Sequence, residues 1–199
     1  MAVRCFVALS VSPDVVGRIE PAVAELRKAA ERAGSRVAWS RPEGWHVTLK
    51  FLGEIDEDRV MEVRRALAAL ATGGAPIELE AVGTGTLPRR GTPRVLIVMV
   101  RGGRPLLELA AAVEDGLSAL GFARERRPFV GHLTVGRVRD ARGWRRWEAA
   151  VRKGERTPFG KWTATAVGLY RSELGSGPAR YSLIEEYPLG GGVRAGAGG

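Results

Sequence analysis

Cysteine occurs once in this chain of 199 residues, histidine twice, and lysine only at Lys28, Lys50, Lys153 and Lys161, and no apolar run is longer than Val95 to Val100. Each shortage excludes something. A single cysteine excludes an internal disulfide. One cysteine and two separated histidines cannot complete a four-ligand zinc site without carboxylates, and the carboxylates show no recognisable ligand spacing, so neither metal nor cofactor is expected. The apolar runs fall far short of the roughly 20 residues that span a bilayer, and the first residues lack the basic-then-apolar layout of a secretory signal. The expectation is a soluble, cytoplasmic protein without a membrane partner. Scarce lysine makes the positive charge an arginine charge: 31 basic against 22 acidic side chains leave a formal +9. Arginine makes bidentate contacts to phosphate, so an anionic partner fits, although a coding bias toward Arg and Gly accounts for the charge equally well. A chain of this length buries roughly two thirds of its unfolded surface and needs no crosslink to fold.

Residues Val3, Cys5, Val7, Leu9 and Val11 alternate with Arg4, Phe6, Ala8 and Ser10, the period of a strand. Ser12-Pro13-Asp14 opens a helix whose apolar positions run to Leu26, with Pro21 as an expected kink or boundary and Gly34 as its stop. A short strand over Arg36 to Ser40, a second from Trp45 to Gly53, a helix from about Asp56 to Ala71 and a strand from Ile77 to Val82 come next. The Gly- and Thr-rich stretch from Gly83 to Pro93 reads as a connection. Beyond it much of the order recurs: a strand from Arg94 to Arg101, a helix from Arg104 to Leu120, and a strand from Pro128 to Val138. A short helix from Trp144 to Val151 and strands near Trp162 to Ser172 and Ala179 to Tyr187 complete the series. This predicts an α+β fold duplicated about a pseudo-two-fold, bilobal, with two antiparallel sheets facing a central cleft and helices outside. Residues 1–189 form a single domain in this reading, and the Gly-rich stretch 190–199 a disordered tail with too little apolar surface to offset ordering entropy.

The chain's two histidines each open the same tetrad, His46-Val47-Thr48-Leu49 and His132-Leu133-Thr134-Val135. Residues i and i+2 of a strand share a face, so each His and its Thr point one way while Val47, Leu49 and Phe51, or Leu133 and Val135, point the other, toward helices. A pseudo-dyad brings both pairs to one cleft. That arrangement suits in-line displacement at phosphorus: one imidazole deprotonates water, the other donates to the departing oxygen, and the Thr hydroxyls hydrogen-bond phosphoryl oxygens. Imidazole, with an ordinary pKa of about 6.5, supplies both forms near neutrality. A lone histidine on a strand is usually structural; two in matching positions are not easily so.

The paired motifs, with Arg4-x-Phe6-x-Ala8 before them, Phe51-Leu52-Gly53 after the first, Arg137 after the second, and Leu169-Tyr170-x-Ser172 and Tyr181 near the end, resemble the two-histidine (2H) phosphoesterases, and within them the RNA 2′,3′-cyclic phosphodiesterases, also known as 2′-5′ RNA ligases. The resemblance covers residues 3 to 189. It implies a metal-independent opening of a 2′,3′-cyclic phosphate to a 2′-phosphate, reversible 2′-5′ joining of RNA ends, and as partners RNA ends such as tRNA fragments, or cyclic nucleotides. It places His46 and His132 as catalytic residues, with analogy favouring His132 as base and His46 as acid while the pseudo-symmetry leaves the two roles interchangeable, Thr48 and Thr134 on phosphate, and Arg137 on the family's phosphate- or nucleotide-contacting arginine. Where the family often has Pro before the second His, this chain has Val130-Gly131. Strict alternation from His132 turns Arg137 away from the cleft, so the strand must bulge or end near Gly136 for it to reach.

Arg4 and Phe6 share a face of the first strand and are candidate substrate contacts, Phe6 as a stacking surface for a base or equally as core. Gly83-Thr84-Gly85-Thr86 lacks the lysine of a phosphate-binding loop and reads as a connection. Cys5 reads as core. Arg124 to Arg127 and Arg142 to Arg146 could line an approach for RNA or simply be solvated, and Trp144 and Trp147 are spaced for packing. A monomer is expected, since the two lobes complete their own cleft. Two rivals stand beside the RNA phosphodiesterase: a 2H enzyme acting on another cyclic or 2′-5′-linked nucleotide, and a catalytically idle module that binds RNA or nucleotides.

Overall fold

In the computed structural model, which describes residues 2–173 and 180–190, the strands form one antiparallel, nine-stranded sheet whose main path runs β7-β4-β5-β6-β3-β1-β8-β9, with β2 attached to β6. The strands are β1 (Val3–Ser10), β2 (Arg36–Trp39), β3 (His46–Ile55), β4 (Ile77–Leu87), β5 (Val95–Arg101), β6 (His132–Asp140), β7 (Pro158–Ala164), β8 (Ala166–Glu173) and β9 (Arg180–Pro188). Among the described residues, four α-helices cover one face: α1 (Pro13–Arg32), α2 (Glu57–Thr72), α3 (Gly103–Ala119) and α4 (Trp144–Lys153). The two predicted sheets are present as two lobes, β3-β1-β8-β9 and β7-β4-β5-β6. They are continuous only through one residue pair between β3 and β6, Val47 with Leu133.

The main core lies between this sheet and the helices. Val7, Leu9, Val47, Leu96, Val98, Leu133 and Leu169 from the strands meet Ile19, Val63, Val113 and Trp147 from the helices. Phe6, Ala8 and Ile97 are just as buried but lie outside that cluster, because they sit on the opposite face and floor the cleft.

Helix α1 begins at an N-cap, where the Ser12 hydroxyl accepts from the Val15 amide at 3.4 Å, and it runs through Pro21 without stopping. The expected boundary is overridden by a buried stripe, Val15, Ile19, Val23, Leu26 and Ala30, that spans both sides of the proline. Asp56 caps α2 by accepting from the Arg59 amide at 2.9 Å. Two strand readings change. Gly83 to Leu87 is not a connection but the second part of β4, with a bulge at Gly83 and the Thr84 hydroxyl, buried, donating to the Val151 carbonyl at 2.7 Å. The strand expected near Trp162 to Ser172 is two: β7 pairs with β4 and β8 with β1, so the chain changes lobe around Thr165. The predicted tail falls, apart from Gly190, outside the described residues.

Candidate active site

Strands β3 and β6 touch through Val47 and Leu133, both fully buried on the helix face. The residues flanking each therefore stand on the cleft face, and these are His46 and Thr48, His132 and Thr134. Continuing the antiparallel register by one residue each way sets His46 beside Thr134 and Thr48 beside His132. The histidines then lie on the diagonal, about 7–8 Å apart at Cβ in a regular pair. The pseudo-dyad passes through the Val47–Leu133 pair, and each lobe offers its histidine to the other lobe's threonine.

Both rings are held in the same way. His46 Nδ1 lies 2.7 Å from the Gly44 carbonyl oxygen, and His132 Nδ1 lies 2.7 Å from that of Val130. A carbonyl oxygen only accepts, so Nδ1 carries the proton and Nε2 is left as the atom that exchanges protons in the cleft. His46 sits in an aromatic nest: its ring stacks on Phe6 at 4.6 Å between centroids, with Tyr181 edge-on at 5.0 Å and Tyr170 near parallel at 6.3 Å. Burial pushes His46 down to about 4, opposed by the Gly44 hydrogen bond and reinforced by His132 and Arg137. Burial also lowers His132, opposed by Val130 and reinforced by Arg137. In the free protein both rings are predominantly neutral at pH 7. An anion between them favours their charged form.

The alternation breaks at equivalent points just after each threonine, and again further on, at Leu52 in β3 and, against β2, at Arg139 in β6. Against β1, Val7 pairs with Lys50 and Ala8 with Thr48, which leaves Leu49 extra. Against β5, Leu96 pairs with Gly136 and Ile97 with Thr134, which leaves Val135 extra. One extra residue reverses the parity of the positions after it, so the fifth residue after each histidine returns to the cleft face. Those residues are Phe51 and Arg137. The bulge at Val135 turns Arg137 toward the cleft, where its charge adds to the lowering of both imidazoles. Gly136 is required beside this bulge, because a Cβ there would come within 2.9 Å of Val37 and 3.1 Å of Trp39.

A family model described as LigT like phosphoesterase matches residues 9–97 and 99–180, well over half of the chain and both His-Thr motifs. The chain belongs to the LigT-like phosphoesterase family. It is 28% identical over 184 residues, 92% of this chain and 99% of the relative, to an RNA 2′,3′-cyclic phosphodiesterase of Methanocaldococcus jannaschii. It is 35% identical over 136 residues to one from Archaeoglobus fulgidus, covering 68% of this chain and 73% of that one. Among solved structures it resembles TT0787 of Thermus thermophilus with a TM-score of 0.78 and 26% identity, covering 94% of this chain and 98% of the other.

Within this LigT-like phosphoesterase the structure assembles His46, Thr48, His132, Thr134 and Arg137 on one cleft face, and treats the two remaining candidates differently. Phe6 is 1% exposed and packed against His46, Tyr170 and Tyr181, so it buttresses the ring and has no free face for a base. Arg4 pairs in register with Glu54, beyond Phe6 on β1, and neither imidazole has a hydrogen bond or stacking contact with it. Two residues escaped the sequence reading. Strict alternation points Phe51 toward the helices with Val47 and Leu49, yet the extra residue Leu49 turns it to the cleft face, 61% exposed, at the position equivalent to Arg137. Lys50 stands out in the sequence only as one of the four lysines, yet it is buried, its Nζ donating to Glu114 Oε1 at 2.7 Å and to the Ala123 carbonyl at 2.9 Å. The signal for both was the bulge, which alternation alone does not reveal.

Gly131 answers the departure from the family's proline. A Cβ on Gly131 would lie 2.5 Å from the Val100 carbonyl oxygen, and the Gly131 carbonyl accepts from the Val100 amide at 2.9 Å. Close backbone contact supplies the rigidity that proline supplies elsewhere. No helix is long and apolar enough to cross a membrane among the described residues.

Proposed function

We propose that this chain is an RNA 2′,3′-cyclic phosphodiesterase in which His46 and His132 act as an acid–base pair. The observation that carries the reading is the twin pinning of the two imidazoles, each with Nδ1 committed to a carbonyl and Nε2 free in a shared cleft. A cyclic phosphate seats between the rings, and its charge draws a proton onto one of them. His132 Nε2 takes a proton from water as the water oxygen bonds to phosphorus. The bond from phosphorus to O3′ breaks in line, and His46 gives its proton to O3′, leaving a 2′-phosphate and a free 3′-hydroxyl. The depressed affinity of His46 for protons suits the acid role, since the imidazolium it forms is a strong donor. Thr48, Thr134 and Arg137 stabilise the charge that accumulates on the non-bridging oxygens. Phe51, exposed on the first lobe at the mouth of the site, stacks the terminal base.

Phosphorus NMR of the products from a 2′,3′-cyclic nucleotide and from an RNA ending in a cyclic phosphate tests the proposal. A 2′-phosphate is expected from both. A 3′-phosphate would overturn the assignment of the leaving oxygen, and absence of turnover would leave the idle binding module in its place.

A further inference from the structure

Half of the arginines in the runs that stand out in the sequence are paired in the fold. Arg124 pairs with Asp115 at 2.7 Å, Arg127 with Glu125 at 3.4 Å and Arg142 with Asp140 at 2.6 Å. A second group of unpaired arginines lies at one end of the second lobe. Arg89, Arg90 and Arg94, in the turn between β4 and β5, and Arg137 and Arg139 on β6 are all exposed, and none has an ion-pair partner among the described residues. The register brings them together. Val95 pairs with Leu87 on one side and with Arg137 on the other, and the Val138 amide donates to the Arg94 carbonyl at 2.9 Å. The turn itself is fixed by the Arg94 amide on the Leu87 carbonyl at 2.9 Å and by buried Pro93. Five unpaired arginines therefore gather at the end of the second lobe that adjoins the phosphate site.

The pseudo-dyad supplies the control. Uniform arginine enrichment would place similar charge on both lobes, but the equivalent of Arg137 in the first lobe is Phe51. Across that lobe the register continues from Phe51 through Phe6 and Tyr170 to the half-exposed Leu183, while Arg64 pairs with Glu185 and Arg4 lies opposite Glu54 in the register. One lobe offers surface for a base and the other offers charge for a backbone.

Building on the function proposed above, we propose that the RNA chain 5′ of the cyclic phosphate leaves the cleft across the second lobe, with successive phosphates on Arg137, Arg139, Arg94 and the Arg89-Arg90 turn. The substrate is then an RNA end rather than a free nucleotide. The test compares a 2′,3′-cyclic mononucleotide with a ten-nucleotide RNA bearing a 2′,3′-cyclic phosphate, in the wild type and in an Arg89→Glu/Arg90→Glu/Arg94→Glu variant, across a series of salt concentrations. The ratio of kcat/KM for RNA to that for the mononucleotide is expected to fall at least about tenfold in the variant. The log–log salt slope for RNA becomes shallower by about 2, as loss of three contacts to a single strand requires. An Arg145→Glu/Arg146→Glu variant on α4 is expected to keep the wild-type ratio. A ratio within twofold of wild type in the triple variant, or an equal loss in the α4 variant, overturns the track. A wild type that turns over neither substrate overturns the function instead, and anisotropy of a labelled RNA ending in a 2′-phosphate then decides the track alone: equal Kd for wild type and triple variant ends it.

Discussion

At the scale of single residues, the burial that serves His46 also exposes it to acid. In the folded chain its imidazole is pushed down to about 4, whereas in the unfolded chain it holds its proton up to about 6.5. Between those values the unfolded state binds more protons, so stability is fully present above about pH 6.5 and declines as pH falls toward 4, by about 3 kcal/mol from this residue. Thermal unfolding should therefore give a flat Tm above pH 7 and a falling one from pH 6 downward, and His46→Gln should remove much of that fall. A Tm that does not change between pH 7 and pH 4.5 would refute the buried, neutral ring. The same two depressed values set the kinetics. The limbs of kcat/KM report the free enzyme, so its bell should lie below pH 6.5, while that of kcat, measured with the anion bound, moves upward. A kcat/KM optimum above pH 8 contradicts this. Replacing either His46 or His132 by Ala should cost on the order of 100- to 10,000-fold in kcat, and full activity in either variant would remove the acid–base pair from the mechanism.

Elements deliver these residues, and two tethers around the second motif show how. Gly131 enters β6 against the backbone of β5, where no rotamer change can relieve a clash with the Val100 carbonyl. Gly131→Ala should destabilise by about 1–3 kcal/mol and lower kcat by displacing the Val130 carbonyl that holds His132. Lys50, at the bulge of β3, reaches across to Glu114 of α3 and to the Ala123 carbonyl, and Glu114 also accepts from the Glu125 amide at 3.2 Å. It ties the first motif's strand to the segment that leads into the second motif. Lys50→Met leaves Glu114 without its cation and should cost about 3 kcal/mol by chemical denaturation, with no loss expected if Glu114→Leu is added. An unchanged midpoint in Lys50→Met would mean that the pair carries no net stability. The strands and both His-Thr pairs were legible from alternation, because Val47, Leu49, Leu133 and Val135 sort cleanly from the polar positions between them. Arg137 was legible only as a conflict, since strict alternation turned it away, and Gly136 marked where the conflict had to resolve. Phe51 and Lys50 were not legible, because the bulge at Leu49 is set by pairing with β1, a contact nearly forty residues away in sequence that no local pattern encodes.

For the whole molecule, the sheet order is a palindrome about the β6–β3 junction: β5 answers β1, β4 answers β8, and β7 answers β9. The sequence repeat and the lobes do not coincide. The first half of the chain places β1 and β3 in one lobe but β2 and β4 in the other, and the second half returns β8 and β9 to the lobe of β1. The helices interlock likewise, α1 packing on α4 and β7 and α2 on α3. Individual bonds cross the halves too, with Trp162 Nε1 donating to the Ser10 carbonyl at 3.0 Å and Trp147 Nε1 to the Ser35 hydroxyl at 2.8 Å. Neither half of the sequence can thus bury its own apolar face, although the two sheets share only one residue pair. The consequence is cooperative unfolding of residues 1–189 as one domain. Far-ultraviolet circular dichroism and tryptophan fluorescence should report a single transition with the same midpoint, since Trp45 belongs to the first half and Trp147 and Trp162 to the second. A fragment ending at Thr92 should show no cooperative melt, because its β4 has lost both partner strands, β5 and β7. Two separated transitions in the full chain, or a cooperative melt of that fragment, would mean that the lobes stand independently and that the cleft between them is free to open.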